Sequence, residues 1–159
     1  MNYANPQDLI LAFGEQELIQ LTDRDNVPPA VVDTFRVEGA IDAAQGVVDG
    51  YVSQRYALPI SGCDDWRGGA EKVAPPLLRR LTVDIARYYL YDDLAPEHEV
   101  YRRYKSSEKD LERIADGSLL LSCPLGDSPG TLIAGQGDLE TRYCFSPRQV
   151  TDADLKGFA

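Results

Sequence analysis

The acidic pairs Asp64-Asp65 and Asp92-Asp93 are the places where this chain could gather oxygens around a divalent cation, which needs several converging ligands. Neighbouring residues on a helix point apart, so Asp92-Asp93 reads instead as a solvated helix end. His98 is the only histidine and lies in the run Pro96-Glu97-His98-Glu99. One histidine does not make a triad or a histidine metal centre, and its polar neighbours predict a solvated residue in a first helical turn. Cys63, Cys123 and Cys144 are odd in number and widely spaced, with no Cys-x-x-Cys pair. Structural or free thiols are expected, since zinc and redox sites need clustered ligands. Ser61, Ser122 and Ser146 have no nearby histidine and no Gly-x-Ser-x-Gly setting. Gly126 to Gly137 is glycine-rich but lacks the Gly-x-x-x-x-Gly-Lys-Ser/Thr order, so a flexible linker is expected there rather than a phosphate cradle. No catalytic residue, cofactor site or metal site emerges, and the chain reads as something other than an enzyme.

Two further groups could serve recognition. Arg80, Asp84 and Arg87 recur at spacings of four and three. They suit ion pairs along one helix face or, in a sharper reading, a salt bridge between subunits. Trp66, the only tryptophan, lies in a glycine-rich stretch. It packs either as a lid on its own domain or as an anchor in a neighbouring protein, tryptophan being enriched at interface centres. Tyr88, Tyr89 and Tyr91 fall within one turn and read as amphipathic residues at the edge of a core.

The whole chain bounds these readings. Its 159 residues suit one domain with an appendage, and 26 acidic against 16 basic side chains leave a net charge of −10. Such a protein repels phosphate backbones, which disfavours a reader of nucleic-acid sequence. There is no leader-like basic and apolar start and no run of about 18 apolar residues, so no membrane partner and a cytosol-like compartment are expected.

The elements that must position these residues are helical. Asn5 can cap a first helix with Pro6 in its first turn, running to Phe13 and stopping at Gly14; Glu15 to Leu21 makes a second. Residues 22–26 read as a loop. From Ala30 to about Tyr56, Val37, Ile41, Ala44, Val48 and Tyr51 recur at helical spacing. Gly39, Gly46 and Gly50 lie inside this long helix, each costing about 1 kcal/mol against alanine, which predicts close approach of a neighbouring helix. Leu58-Pro59 is the expected stop. Residues 61–74 read as an exposed excursion. Pro76 opens a helix with Leu77, Leu81, Ile85 and Tyr88 on one face, ending near Asp93, and a further helix runs from about Pro96 to Asp116 and closes at Gly117. The fold class is therefore mainly α: a small antiparallel helical bundle with an extended C-terminal tail containing a short β-strand.

The bundle is assigned to residues 1–117 and a docking tail to 118–159, where Pro124, Gly126, Pro129, Gly130, Gly135 and Gly137 break any helix and no separate core can form. Leu139, Thr141, Tyr143 and Phe145 alternate onto one side of a strand, which alone is unstable in water and must pair with a partner. Strand addition to a neighbour is the expected mode. Thr151 to Leu155 can form one last helical turn.

Several motifs in order carry a resemblance: Tyr3-Ala4-Asn5-Pro6-Gln7-Asp8-Leu9 with Phe13 to Asp23; Ile41-Asp42-Ala43-Ala44 and Asp49-Gly50-Tyr51; Arg55-Tyr56-Ala57-Leu58-Pro59; Asp84 to Leu90; and Phe145-Ser146-Pro147-Arg148 with Leu155 to Phe158. In this order the chain resembles the neck protein family of Mu-like tailed phages and prophages, over nearly its whole length. The resemblance implies a head-tail connector (adaptor) subunit of the virion, assembled in the bacterial cytoplasm as a twelve-membered ring beneath the portal. Double-stranded DNA would pass non-specifically through its lumen. The implied partners are other copies of the chain, the portal and a stopper or tail-side neck protein; no cofactor or catalytic residue is implied. Portal or neighbour contacts are expected at Leu139, Thr141, Tyr143, Phe145, Arg148, Leu155 and Phe158, and subunit contacts at Trp66, Arg80, Asp84 and Arg87. A net negative charge suits a conduit that must not grip DNA. The alternatives are another neck component, such as a strand-rich stopper or tail-completion protein, and a monomeric regulatory binding module.

Overall fold

The computed structural model describes residues 2–65, 67–91 and 97–133. Among these residues five helices follow one another: α1 (Pro6–Phe13), α2 (Glu15–Thr22), α3 (Thr34–Val52), α4 (Pro76–Leu90) and α5 (Glu99–Ala115). The mainly α bundle is as expected, and no multi-residue strand occurs among the described residues.

Local chemistry sets the boundaries. In α1 the Asn5 side chain accepts from Asp8 N while the Asp8 carboxylate accepts from Asn5 N, both at 2.9 Å, a reciprocal cap that satisfies two amides the helix leaves unpaired. Gly14, at φ 91°, ends α1 and begins α2 in a single residue. The long helix starts later and stops earlier than Ala30 and Tyr56. Asp23 accepts from the amides of Ala30 and Val31, holding them outside the helix, and Asp33 caps α3 by accepting from Phe35 N and Arg36 N. At the other end the chain leaves α3 in turns from Ser53, so Leu58-Pro59 lies beyond the stop. His98 is the cap of α5, its Nδ1 accepting from Val100 N, rather than a first-turn residue.

The core forms where the helical stripes meet. α3 packs most extensively on α4, α4 on α5, and α1 closes over α3 and α4. Val37, Ile41, Ala44 and Val48 of α3, Leu81 and Ile85 of α4, and Val100, Leu111 and Ile114 of α5 are buried as their periodicity requires. Pairs between residues 80 and 110, 84 and 107, and 88 and 104 show α4 and α5 to be antiparallel. The expectation for the glycines of α3 is not met among the described residues: a Cβ built on Gly39, Gly46 or Gly50 meets none of their atoms within 4 Å. The described residues leave that face of α3 open.

Candidate interaction surfaces

A groove of about 540 Å³ lies between α1, α4 and α5, with Leu11, Phe13 and Val83 as apolar lining and Asp8, Arg79, Arg80, Asp84 and Arg103 as charged lining. Asp84 is buried, and loss of solvent raises its pKa above the usual carboxylate range. Arg103, Arg80, a hydrogen bond from Ser107 Oγ (3.5 Å) and Arg87 act in the opposite sense. Arg103 Nη1 stands 3.7 Å from Asp84 Oδ1 while its Nε reaches Glu99 at 3.1 Å, and Arg80 Nη2 donates to Asp110 at 2.8 Å. The direct pairs of this trio therefore run between helices, not along one face of α4, because each facing helix presents a partner closer than the next turn does. Arg79 makes no side-chain hydrogen bond or ion pair among the described residues.

Arg87 is engaged with α2. Its Nε and Nη2 donate to the two carboxylate oxygens of Glu17 at 2.7 and 2.9 Å, Tyr91 Oη donates to the same group at 3.0 Å, and the guanidinium stacks 4.2 Å from the centre of the Phe13 ring. Burial opposes the charge on Arg87, but Glu17 outweighs it and the pKa is raised. Behind it, Tyr88 stacks on Tyr104 at 4.2 Å between ring centres, with Tyr89 and Tyr101 at the margin. This is the amphipathic edge of a core, as the sequence suggests.

The chain after α5 is tied back onto the body. Gly117, at φ 79°, turns it, and Leu121 enters the core with its amide donating to the hydroxyl of buried Tyr56 at 2.9 Å. Ala57 N donates to Thr131 O, Gly62 N to Pro129 O and Ile133 N to Arg55 O. Cys63 and Cys123 form a disulfide with Cα atoms 5.3 Å apart. The excursion at 61–74 is thus only partly exposed: Cys63 and Ala74 are buried, and Cys63 pairs with Val73. Nothing in the cysteine spacing signals this bridge, which joins residues 60 apart in sequence.

The connection between α2 and α3 is a third feature. Thr22 Oγ1 donates to Leu18 O and accepts from Asp33 N, while Asp23 accepts from Asn26, Ala30 and Val31. These bonds, the one from Ala30 foremost, hold the Asp23 pKa well below the usual carboxylate range. The same connection leaves Val27 97% and Val31 64% exposed, and Phe35 in the first turn of α3 is 83% exposed.

Of the residues expected to meet partners, the structure brings Arg80 and Asp84 to one groove and places Arg87 on the α2–α4 clamp. Trp66, Leu139, Thr141, Tyr143, Phe145, Arg148, Leu155 and Phe158 lie outside the described residues, as do Asp92-Asp93. Sequence reasoning missed the groove and the Asp23 cage. No local sequence signal marks the cage, because Asp23 meets amides seven and eight positions on only where the loop folds back. Among the described residues no group of three or more histidine, cysteine or carboxylate side chains is placed to hold a metal, and no helix is long and apolar enough to cross a membrane.

The fold is thus a helical bundle whose charged groups brace one helix against another, with a strap fastened across the end of α3. A family described as Bacteriophage Mu, Gp36 matches residues 3–131, and the chain belongs to that family of phage proteins. It is similar to gene product J of Escherichia phage Mu, 29% identical over 117 residues that cover 74% of each chain. It is also similar to the Mu-like prophage FluMu protein gp36 of Haemophilus influenzae, 29% identical over 136 residues covering 85% of this chain and 84% of the relative.

Proposed function

We propose that this protein is a structural head-tail connector (adaptor) subunit of a Mu-like phage virion. Copies assemble as a ring of twelve beneath the portal, at the neck, and DNA passes through the ring; the chain carries out no catalysis and needs no cofactor. The observation that carries this reading is the family match across residues 3–131, which spans the whole bundle and most of the fastened strap. Three features support it. The described fold is helical, which favours a connector over a strand-rich stopper or tail-completion protein. The net charge of −10 suits a conduit, since phosphate contacts gain affinity from cationic side chains. The strap delivers the chain at Ile133 to a fixed point, from which residues 134–159 can extend to the portal or to a neighbouring subunit.

The test is the mass of the full-length protein alone and with its cognate portal, beside a chain truncated after Ile133. A cut after Gly117 would remove Cys123 and Leu121 and so damage the body itself. Ring formation on the portal by the full-length chain and not by the truncated one supports both connector and docking tail. A full-length chain that stays monomeric and ignores the portal sinks the connector reading in favour of a monomeric binding module.

A further inference from the structure

We propose that the connection between α2 and α3 is a preformed knob that seats in the α1–α4–α5 groove of a second copy of this chain. The proposal rests on the ring reading above and names the surfaces that would make the ring.

The knob is ordered chiefly by polar bonds, with Val32 packed against the core from within it. Asp23 draws the amides of Asn26, Ala30 and Val31 around one carboxylate, at 3.2, 2.9 and 3.2 Å, and Thr22 Oγ1 fixes Asp33 N at 3.0 Å. Ordering a loop costs conformational entropy, and here that cost is met before any partner arrives. What the cage holds out to solvent is apolar: Val27, Val31 and, at the start of α3, Phe35. A braced loop that displays three large apolar side chains is built for contact with protein.

The groove offers the matching chemistry. Leu11 is 77% exposed at its edge, with Phe13 and Val83 beside it, and no residue of the knob lines it. Charge favours the same pairing. Asp25, Glu38 and Asp42, around and just beyond the knob, are exposed and make no ion pair among the described residues. Arg36 is already neutralised by Asp33 at 3.2 Å, and Arg24 has a partner of its own. In the groove the acids are committed, Asp8 to the α1 cap and Asp84 to Ser107 and Arg103, which leaves Arg79 as the unspent charge. Knob and groove are different patches of one chain, so their contact is head-to-tail, the kind that closes into a ring when the rotation permits.

Site-directed crosslinking tests this directly. Leu11→Cys and Val31→Cys are made separately in a Cys144→Ser chain that keeps the Cys63–Cys123 bridge, and each is oxidised with oxidised glutathione, alone and mixed, with and without the cognate portal. Two thiols lose two protons and two electrons to the glutathione disulfide as the new S–S bond forms. The mixture is expected to give a crosslinked dimer and each single variant none. A chain carrying both substitutions is expected to give a ladder. Phe35→Asp is expected to weaken self-association at least tenfold while leaving the helical circular dichroism unchanged. If the wild-type chain forms its ring and the mixture does not crosslink, or a single variant crosslinks to itself as readily, the knob-in-groove contact is wrong and the connector reading survives. If no oligomer forms under any condition, with or without portal, both are wrong.

Discussion

Arg87 holds Glu17 with two parallel hydrogen bonds of 2.7 and 2.9 Å, joining α4 to α2 across 70 residues of sequence. Both side chains are mostly buried, and Tyr91 and the Phe13 ring complete the enclosure. Glu17→Ala leaves a guanidinium in this enclosure without its carboxylate. The expected loss is about 2 kcal/mol, the range of hydrogen bonds to charged groups rather than of surface ion pairs. Urea denaturation of Glu17→Ala, Arg87→Ala and the double variant checks it. Additive losses would show that the two residues do not act as a pair.

The Cys63–Cys123 bridge closes a loop spanning 60 residues. A crosslink of that span stabilises by about 4 kcal/mol in the chain-entropy account. Cys123→Ser, or reduction of the wild-type chain, is expected to lower the melting temperature by similar amounts. The 118–133 strap should then become the first site of proteolytic cleavage. A melting temperature indifferent to reductant would mean that the bridge contributes nothing in solution.

Some of this architecture was open to reading from residue types and some was not. α1, α2 and the start of α4 follow from signals that act within a few residues: the Asn5 cap, Gly14 and Pro76. The buried stripe of α3 was legible from its period, yet its true start was not, because the group that keeps Ala30 and Val31 out of the helix is Asp23, acting through a folded loop. Pairing of Cys63 with Cys123 and convergence of Arg80, Asp84 and Arg103 at one groove depend on tertiary packing. Periodicity says which face of a helix is buried, but not which charged partner stands opposite.

Two carboxylates should respond to acid with opposite sign. Asp23 has a folded pKa below its unfolded value of about 4, so its contribution is full above that pH and is lost as pH falls toward the folded value. Asp84 has a raised folded pKa, so its ionisation penalises the fold at neutral pH and the penalty fades as pH falls through the folded value. Between about pH 4 and 2, Asp23→Asn should therefore lose less stability than the wild type. At pH 7, Asp84→Asn should melt higher than the wild type. Thermal melts across pH decide both, and a lower melting temperature for Asp84→Asn would show that pairing with Arg103 outweighs desolvation.

Gly46 sits in mid-helix on the face of α3 that the described residues leave open, with space there for a methyl group. Gly46→Ala is expected to stabilise the isolated subunit by about 1 kcal/mol through helix propensity alone. Chemical denaturation at low protein concentration is the check. A destabilised variant would mean that another part of the chain packs on this face.

The fastening of Ile133 to Arg55 turns the end of α3 into a tether point. The 159 − 133 = 26 residues beyond it span at most about 90 Å when fully extended. On the docking-tail reading proposed above, their target must therefore lie within that radius of Arg55. On that reading, once a subunit is seated, capture of the target would be an intramolecular event, governed by an effective concentration that the position of the tether sets, not by the amount of free protein in the cell.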